Sequence, residues 1–285
     1  MESSERVRTF LRNLWGEIDN SSLSHTHRDT LEQIWNLMGE CGGKPPKDLV
    51  EQIYDMMMKT PEMAVVSHQK PKMLERVVAS TAWVRDRLNN GERVFDLGTN
   101  TGHQILFWAS ELPGSHFIGI DVSDNVLNIA KQWIKALDLG NIEVWQDDLM
   151  APKPHVTPSS LDVIVNCFAI ETVPEFLAES CSLPDWVFES LKPEGRLIAV
   201  LTVGSWGDLA AIIGKWRSQG LNLIENEMLD TGNGSCHPAL VMSSSEEDNK
   251  ISEEDIITWA AQESHSIYES YCHGNELEQI RAEFL

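Results

Sequence analysis

From Arg93 onward, short apolar runs of strand length alternate with stretches of helical period, and few architectures accept that pattern. The strand-like runs are 93–97, 117–121, 142–146, 161–166 and 196–201, with helical stretches at 104–111, 124–137, 173–191 and 207–219. Repeated strand–helix units predict a doubly wound, mostly parallel sheet covered on both faces, with its ligand at the carboxyl ends of the strands. Two more strands are predicted at 223–229 and 238–242, then a solvated acidic loop, SSSEEDNK, and an amphipathic helical segment over 252–284. Upstream the chain reads as helical. Leu31, Ile34, Trp35 and Met38 recur at helical spacing before Cys41-Gly42-Gly43, and Pro45-Pro46 opens a second helix with Leu49, Ile53, Met56 or Met57 on one face. A third helix runs through Leu74, Val77, Val78 and Val84 and stops near Asn89-Asn90-Gly91. The predicted organisation is a helical cap over 1–66, an α/β domain over 67–245, and the acidic loop with its helical segment over 246–285.

Charge narrows the partners. The 285 residues carry 44 Asp+Glu against 22 Lys+Arg, a formal net charge of −22. Such a surface repels phosphate backbones and anionic lipid, so neither a nucleic acid nor a membrane is expected. No apolar run approaches the ~18–20 residues of a spanning helix. The segment MESSERVRTF has no apolar signal region, so a cytoplasmic location is expected. The five cysteines (Cys41, Cys167, Cys181, Cys236, Cys272) form no CxxC, and reduced thiols fit them better than a disulfide framework or a zinc site. His25 and His27 are two apart without nearby acids, so no metal is expected.

The informative segment is VFDLGTNTGH, residues 94–103: a buried strand, a tight turn of small residues, then a helix. Gly98 and Gly102 let the backbone approach a ligand, and the helix N-terminus offers free N–H donors. No Gly-Lys-Ser/Thr follows, which excludes a P-loop. The spacing GxGxxG also fails, because its second and third glycines would be Asn100 and His103, and that argues against NAD. The next strand ends in Asp121, the third is followed by Asp147-Asp148-Leu149, and the fourth ends in Asn166, so successive strand ends present acceptors on one rim. Each acid alone could equally be a solvated loop residue or a helix cap.

The series resembles the class I S-adenosylmethionine-dependent methyltransferases over about residues 70–245: DLGTNTG is similar to that family's first motif, GIDVS to its second, QDDL to its third, LDVIVNCFAIETV to its fourth and LKPEGRLIAV to its fifth strand with the preceding turn. The resemblance implies a seven-stranded Rossmann-like sheet with S-adenosylmethionine as cofactor and S-adenosylhomocysteine as product. It places Asp96 beneath the methionine amino group and Gly98, Asn100 and Gly102 in the cofactor turn. Asp121 is implied at the ribose, Val122 against the adenine, Asp148 and the Leu149 N–H at the adenine edge, and Asn166 near the methionine moiety. The family usually has glycine where Asn100 stands, and Asn tolerates the left-handed conformation better than most residues. Relatives often carry His after the fourth strand, where this chain has Glu171-Thr172.

Methyl transfer from a sulfonium needs alignment, exclusion of water and, for some acceptors, a base. Glu171 is the first candidate for that base or for the counter-ion of an amine; its alternative is a helix-start acid stabilised by the dipole. His68 and His237 come second, each with a structural alternative. The helical extensions are expected to cover the strand ends around a small-molecule acceptor, with Trp35, Tyr54, Met57 and Tyr268 as lining; core or homodimer contacts are the alternative for them. A protein acceptor, or a non-catalytic partner subunit on the same fold, are the competing functions.

Overall fold

The strands alternate their buried side chains between two layers, as a sheet covered on both faces requires. The computed structural model describes residues 3–16, 68, 71–149, 156–170, 174–178, 180–203, 206–231, 236–245 and 251–263. The strands are β1 (Arg93–Leu97), β2 (His116–Asp121), β3 (Ile142–Gln146), β4 (Leu161–Cys167), β5 (Leu191–Val200), β6 (Asn222–Asp230) and β7 (Cys236–Ser243). They form one sheet in the order β3-β2-β1-β4-β5-β7-β6. The pairs from β3 through β5 are parallel, while β7 runs antiparallel to both β5 and β6. The mostly parallel α/β architecture expected from the alternation is therefore present, and its strand order reverses beside β1, where such sheets bind ligands.

The helices are α1 (Ser3–Trp15), α2 (Pro71–Arg85), α3 (His103–Glu111), α4 (Asp124–Ala136), α5 (Leu183–Ser190), α6 (Trp206–Arg217) and α7 (Glu253–Gln262). One sheet face, with Phe95, Ile118, Ile164, Leu197 and Leu240, packs on α5, α6 and α7 through Leu183, Val187, Leu209, Ile213, Ile256 and Ile257. The other face, with Val94, Phe117, Val165, Ile198 and Val241, packs on α1, α2 and α3 through Leu11, Val78, Ile105 and Trp108. Because Ile256, Ile257 and Ala260 belong to the same core as β5, the packed unit continues past residue 245.

Helix α1 lays Val7, Leu11 and Trp15 into the core at intervals of one turn. Arg8 fixes it to α2 through a bidentate pair with Glu75 at 2.5 and 2.8 Å, and Arg6 pairs with Glu111 of α3. These partly exposed pairs set orientation more than stability. Leu11, with no exposed surface, carries the attachment. Leu11→Ala should therefore cost about 2–5 kcal/mol in chemical denaturation, and a loss under ~1 kcal/mol would show α1 to be peripheral.

Two elements differ from the sequence expectation. The single helix predicted at 173–191 is a short 3-10 turn (Pro174–Leu177) followed by α5, with Pro184 in the first turn of α5. Proline lacks the N–H that an uninterrupted helix would use there. Strand β5 begins at Leu191 instead of residue 196, and its pairing with β4 jumps from Leu161↔Leu191 to Val163↔Arg196, so the segment between is a bulge. The cap helices predicted within 17–67, with Trp35, Tyr54 and Met57, lie outside the described residues, as do Tyr268 and the predicted helix beyond 263. Among the described residues no helix is long and apolar enough to cross a membrane.

Candidate functional site

Between β1 and α3 the chain enters the left-handed region three times, at Gly98 (φ 73°), Asn100 (φ 53°) and Gly102 (φ 79°). The turn is closed by Thr99 N–H donating to the Ile120 carbonyl at 2.8 Å and by Gly102 N–H donating to the Thr99 carbonyl at 2.9 Å. A Cβ at Gly98 would meet the Ala169 Cβ at 2.6 Å, so glycine is required there for space as well as for φ. At Asn100 the side chain serves the turn itself, its Oδ1 accepting from Thr101 N–H at 2.7 Å. This is how an asparagine replaces a glycine in this conformation.

The rim facing that turn comes from the next strands. Asp121 ends β2, and its two carboxylate oxygens accept from Asn100 N–H and Ser123 N–H, each at 2.9 Å. A carboxylate offers about four acceptor sites, so Asp121, which also meets the Val122 N–H, retains capacity for a further donor. Burial raises its pKa, opposed by the backbone N–H groups of Ser123, Asn100 and Val122. Val122 beside it is 68% exposed, the most exposed large apolar side chain among the described residues. After β3, Asp147 turns inward and accepts from Asp148 N–H at 2.9 Å, which leaves Asp148 exposed on the rim. Leu149 lies against the turn, its Cδ1 3.6 Å from the position a Gly98 Cβ would take.

Two buried polar groups complete this end. Asp96 is pushed up to about 7, first by burial and also by the charge of Asp121, with the Thr99 side chain pulling the other way. Asn166 pairs in register with Leu97, has no exposed surface, and accepts from Ile170 N–H through Oδ1 at 3.0 Å. Among the described residues its Nδ2 has no hydrogen-bond partner. A buried unmatched donor costs about 1–3 kcal/mol unless a ligand satisfies it.

The two candidate histidines fall at different places. His68 packs on His103, ring centroids 4.6 Å apart, with Trp15 of α1 beside both. His103 opens α3, is buried, and is held well below the usual histidine range by burial and by His68. His237, at the start of β7, meets the ring of Phe168 at 5.1 Å. Glu171 lies outside the described residues. The sequence reading missed Phe168 and Arg76. Phe168 follows β4 at φ 61°, rare for a bulky residue, and the Arg76 guanidinium of α2 lies 4.2 Å from its ring centroid. No local signal announces either, since the pairing joins residues 76, 168 and 237.

A family model described as a methyltransferase domain matches residues 88–263, and the chain belongs to that family. Taken with the sheet order and the glycine turn, this defines a class I S-adenosylmethionine-dependent methyltransferase. Among curated relatives, the demethylmenaquinone methyltransferase of Listeria welshimeri is 28% identical over 118 residues, 41% of this chain and 47% of the relative. The release factor glutamine methyltransferase of Aliivibrio fischeri is 36% identical over 77 residues, 27% of this chain and 26% of the relative. The chain thus spans less than half the length of these relatives. Among solved structures, a SAM-dependent methyltransferase from Aquifex aeolicus superposes with a TM-score of 0.52 at 17% identity, covering 65% of this chain and 98% of that one. The cyclase SpnF gives 0.56 at 16% identity, covering 70% and 97%. At these identities the likeness is one of fold.

Proposed function

We propose that this methyltransferase acts on a small-molecule acceptor, with the cofactor held by the rim of β1, β2, β3 and β4. The observation that carries the cofactor assignment is the Asp121 carboxylate, set across the Gly98–Gly102 turn with room for a further donor and an exposed Val122 beside it. The ribose hydroxyls donate to Asp121, the adenine rests on Val122, and Asp148 with the Leu149 N–H serves the adenine edge. The bare glycine turn admits the methionine end, Asp96 offsets its amino charge, and the unmatched Asn166 Nδ2 supplies a donor. Bound there, S-adenosylmethionine supplies an activated methyl group on a sulfonium. The protein's share is to align the acceptor, exclude water and handle a proton. Glu171 stays the first candidate for base or counter-ion on sequence grounds. The demethylmenaquinone methyltransferase relatives and the net charge of −22 support a small acceptor over a nucleic acid.

Calorimetric titration with S-adenosylmethionine, S-adenosylhomocysteine and NAD tests the reading. Both sulfur compounds should bind at ~micromolar Kd, about −8 kcal/mol, without NAD heat. Asp121→Ala should weaken both by about 1–3 kcal/mol. Unchanged affinity in that variant would overturn the ribose assignment.

A further inference from the structure

The end of the sheet opposite the cofactor rim carries a separate groove. It has a volume of about 530 Å3, is open to solvent, and is lined by Ser159, Phe188, Glu189, Lys192, Glu194 and Ser244, where α5 ends and β5 begins. Hydrogen bonds tie its walls together. Ser159 N–H and Ser160 N–H donate to the Glu189 and Ser190 carbonyls at 2.8 and 3.0 Å, and the Ser244 hydroxyl donates to the Lys192 and Pro193 carbonyls at 3.1 and 3.0 Å. Gly195, at the end of the β5 bulge, is about 15 Å from Val200 along the strand. A molecule in the groove therefore leaves the cofactor rim free.

The chemistry of the lining selects its occupant. Glu189 stands in the last turn of α5, which holds no basic residue and where the helix dipole disfavours an anion. Among the described residues neither the Glu189 nor the Glu194 side chain has an ion-pair or hydrogen-bond partner. The one base of the lining, Lys192, is already matched by Asp162 at 2.5 Å. Phe188 is 41% exposed. A single exposed phenylalanine needs no explanation, but this one shares a groove with two unmatched carboxylates. Its ring is also held on one side, since a Cβ at Gly220 would stand 3.0 Å from Phe188 Cε2. An aromatic ring and carboxylates together attract a cation. A guanidinium suits both, being planar for stacking, forked for carboxylates and weakly hydrated. Sites for small molecules enclose most of the ligand, and this groove does not. An arginine carried on a peptide is held by its flanking residues as well, and a net charge of −22 draws a basic segment in.

We propose that this groove docks a basic segment of a partner protein, an arginine of which stacks on Phe188 and pairs with Glu189 and Glu194. The inference is independent of the acceptor's identity, and the groove and the cofactor rim can be filled together.

The probe is a fluorescein-labelled penta-arginine peptide, followed by anisotropy on the full chain at about 0.15 M salt, with and without S-adenosylhomocysteine. It should bind equally in both conditions. Phe188→Leu keeps an apolar side chain but removes the aromatic face, and should weaken binding ~3-fold. Glu189→Gln,Glu194→Gln should weaken it ~10-fold. Asp138→Asn,Glu143→Gln removes the same charge near β3, at the opposite edge of the sheet, and should change affinity less than about twofold. Equal losses in the two charge pairs would make the attraction a property of the whole surface. An unchanged affinity in Phe188→Leu would remove the ring from the site. Spermine displacing the peptide at matching concentration would assign the groove to a free cation, and S-adenosylhomocysteine expelling it would place the peptide at the cofactor rim. A dimer of the chain that Phe188→Leu dissolves would give the groove to a second copy. Each of these overturns the proposal, as does an absence of binding, and none of them touches methyl transfer, which the cofactor titration reads separately.

Discussion

Gly98→Ala should cost about 2–5 kcal/mol of stability and weaken cofactor binding about 100-fold. Two penalties add at this position. A side chain at φ 73° enters the left-handed region, roughly 1–2 kcal/mol. The new Cβ would also stand 2.6 Å from the Ala169 Cβ, so β1 and the segment after β4 must separate, roughly 1–3 kcal/mol of overpacking. That separation shifts the rim, and displacements of ~1 Å in a positioned site cost about two orders of magnitude. Gly91 is the control: it has φ 98° but no atom within 4 Å of its Cβ position, so Gly91→Ala incurs the backbone penalty alone. Denaturant unfolding with S-adenosylhomocysteine titration separates the two, and Gly98→Ala,Ala169→Gly should recover the steric part only. If Gly98→Ala is as mild as Gly91→Ala, the close approach to Ala169 has no energetic weight.

Cofactor affinity should rise with pH up to neutrality because of Asp96. Its folded-state pKa of about 7 lies above the ordinary aspartate value of 3.8. The folded, ligand-free chain therefore holds a proton that the unfolded chain releases, and this group's contribution to stability is lost as pH rises from about 4 to 7. A ligand ammonium placed over Asp96 prefers the carboxylate. Below pH 7 binding must first expel the proton, so Kd should increase by up to about tenfold per pH unit between 7 and 5. Asp121, also raised, acts in the same direction, and Asp96→Asn isolates its share. Titration in buffers of different ionisation heat should show a proton released on binding near pH 6 in the parent protein and a smaller fraction in Asp96→Asn. A pH-independent Kd would mean that Asp96 is ionised before the ligand arrives.

The sheet and the glycine turn at its strand ends were legible because their signals are local. Central parallel strands are buried on both faces and read as runs such as VFDL and DVIVN, and a turn through the left-handed region advertises itself with Gly98 and Gly102. Asp121 and Asn166 follow once those strands are aligned, since strand ends share a rim. The break near Pro184 was visible in principle, because a proline inside a helical pattern restarts it, and the apolar period of 173–191 overrode that signal. The bulge in β5 depends on pairing with β4, which no local pattern records. Phe168 and Arg76 were illegible for the same reason: the strained backbone and the stacked guanidinium are tertiary facts.

The reversed strand β7 has an evolutionary consequence. Had it run parallel to its neighbours, its first residues would lie at the far edge of the sheet, and only its last ones could face the ligand. Reversal brings His237 to the carboxyl-end rim of β5 through a hairpin that follows β1 to β5 in the chain. That side of the rim can then vary by exchanging the hairpin and the residues after β4, while the part of the gene encoding β1 to β3 remains untouched. A lineage built this way can remodel one half of its rim without disturbing the other.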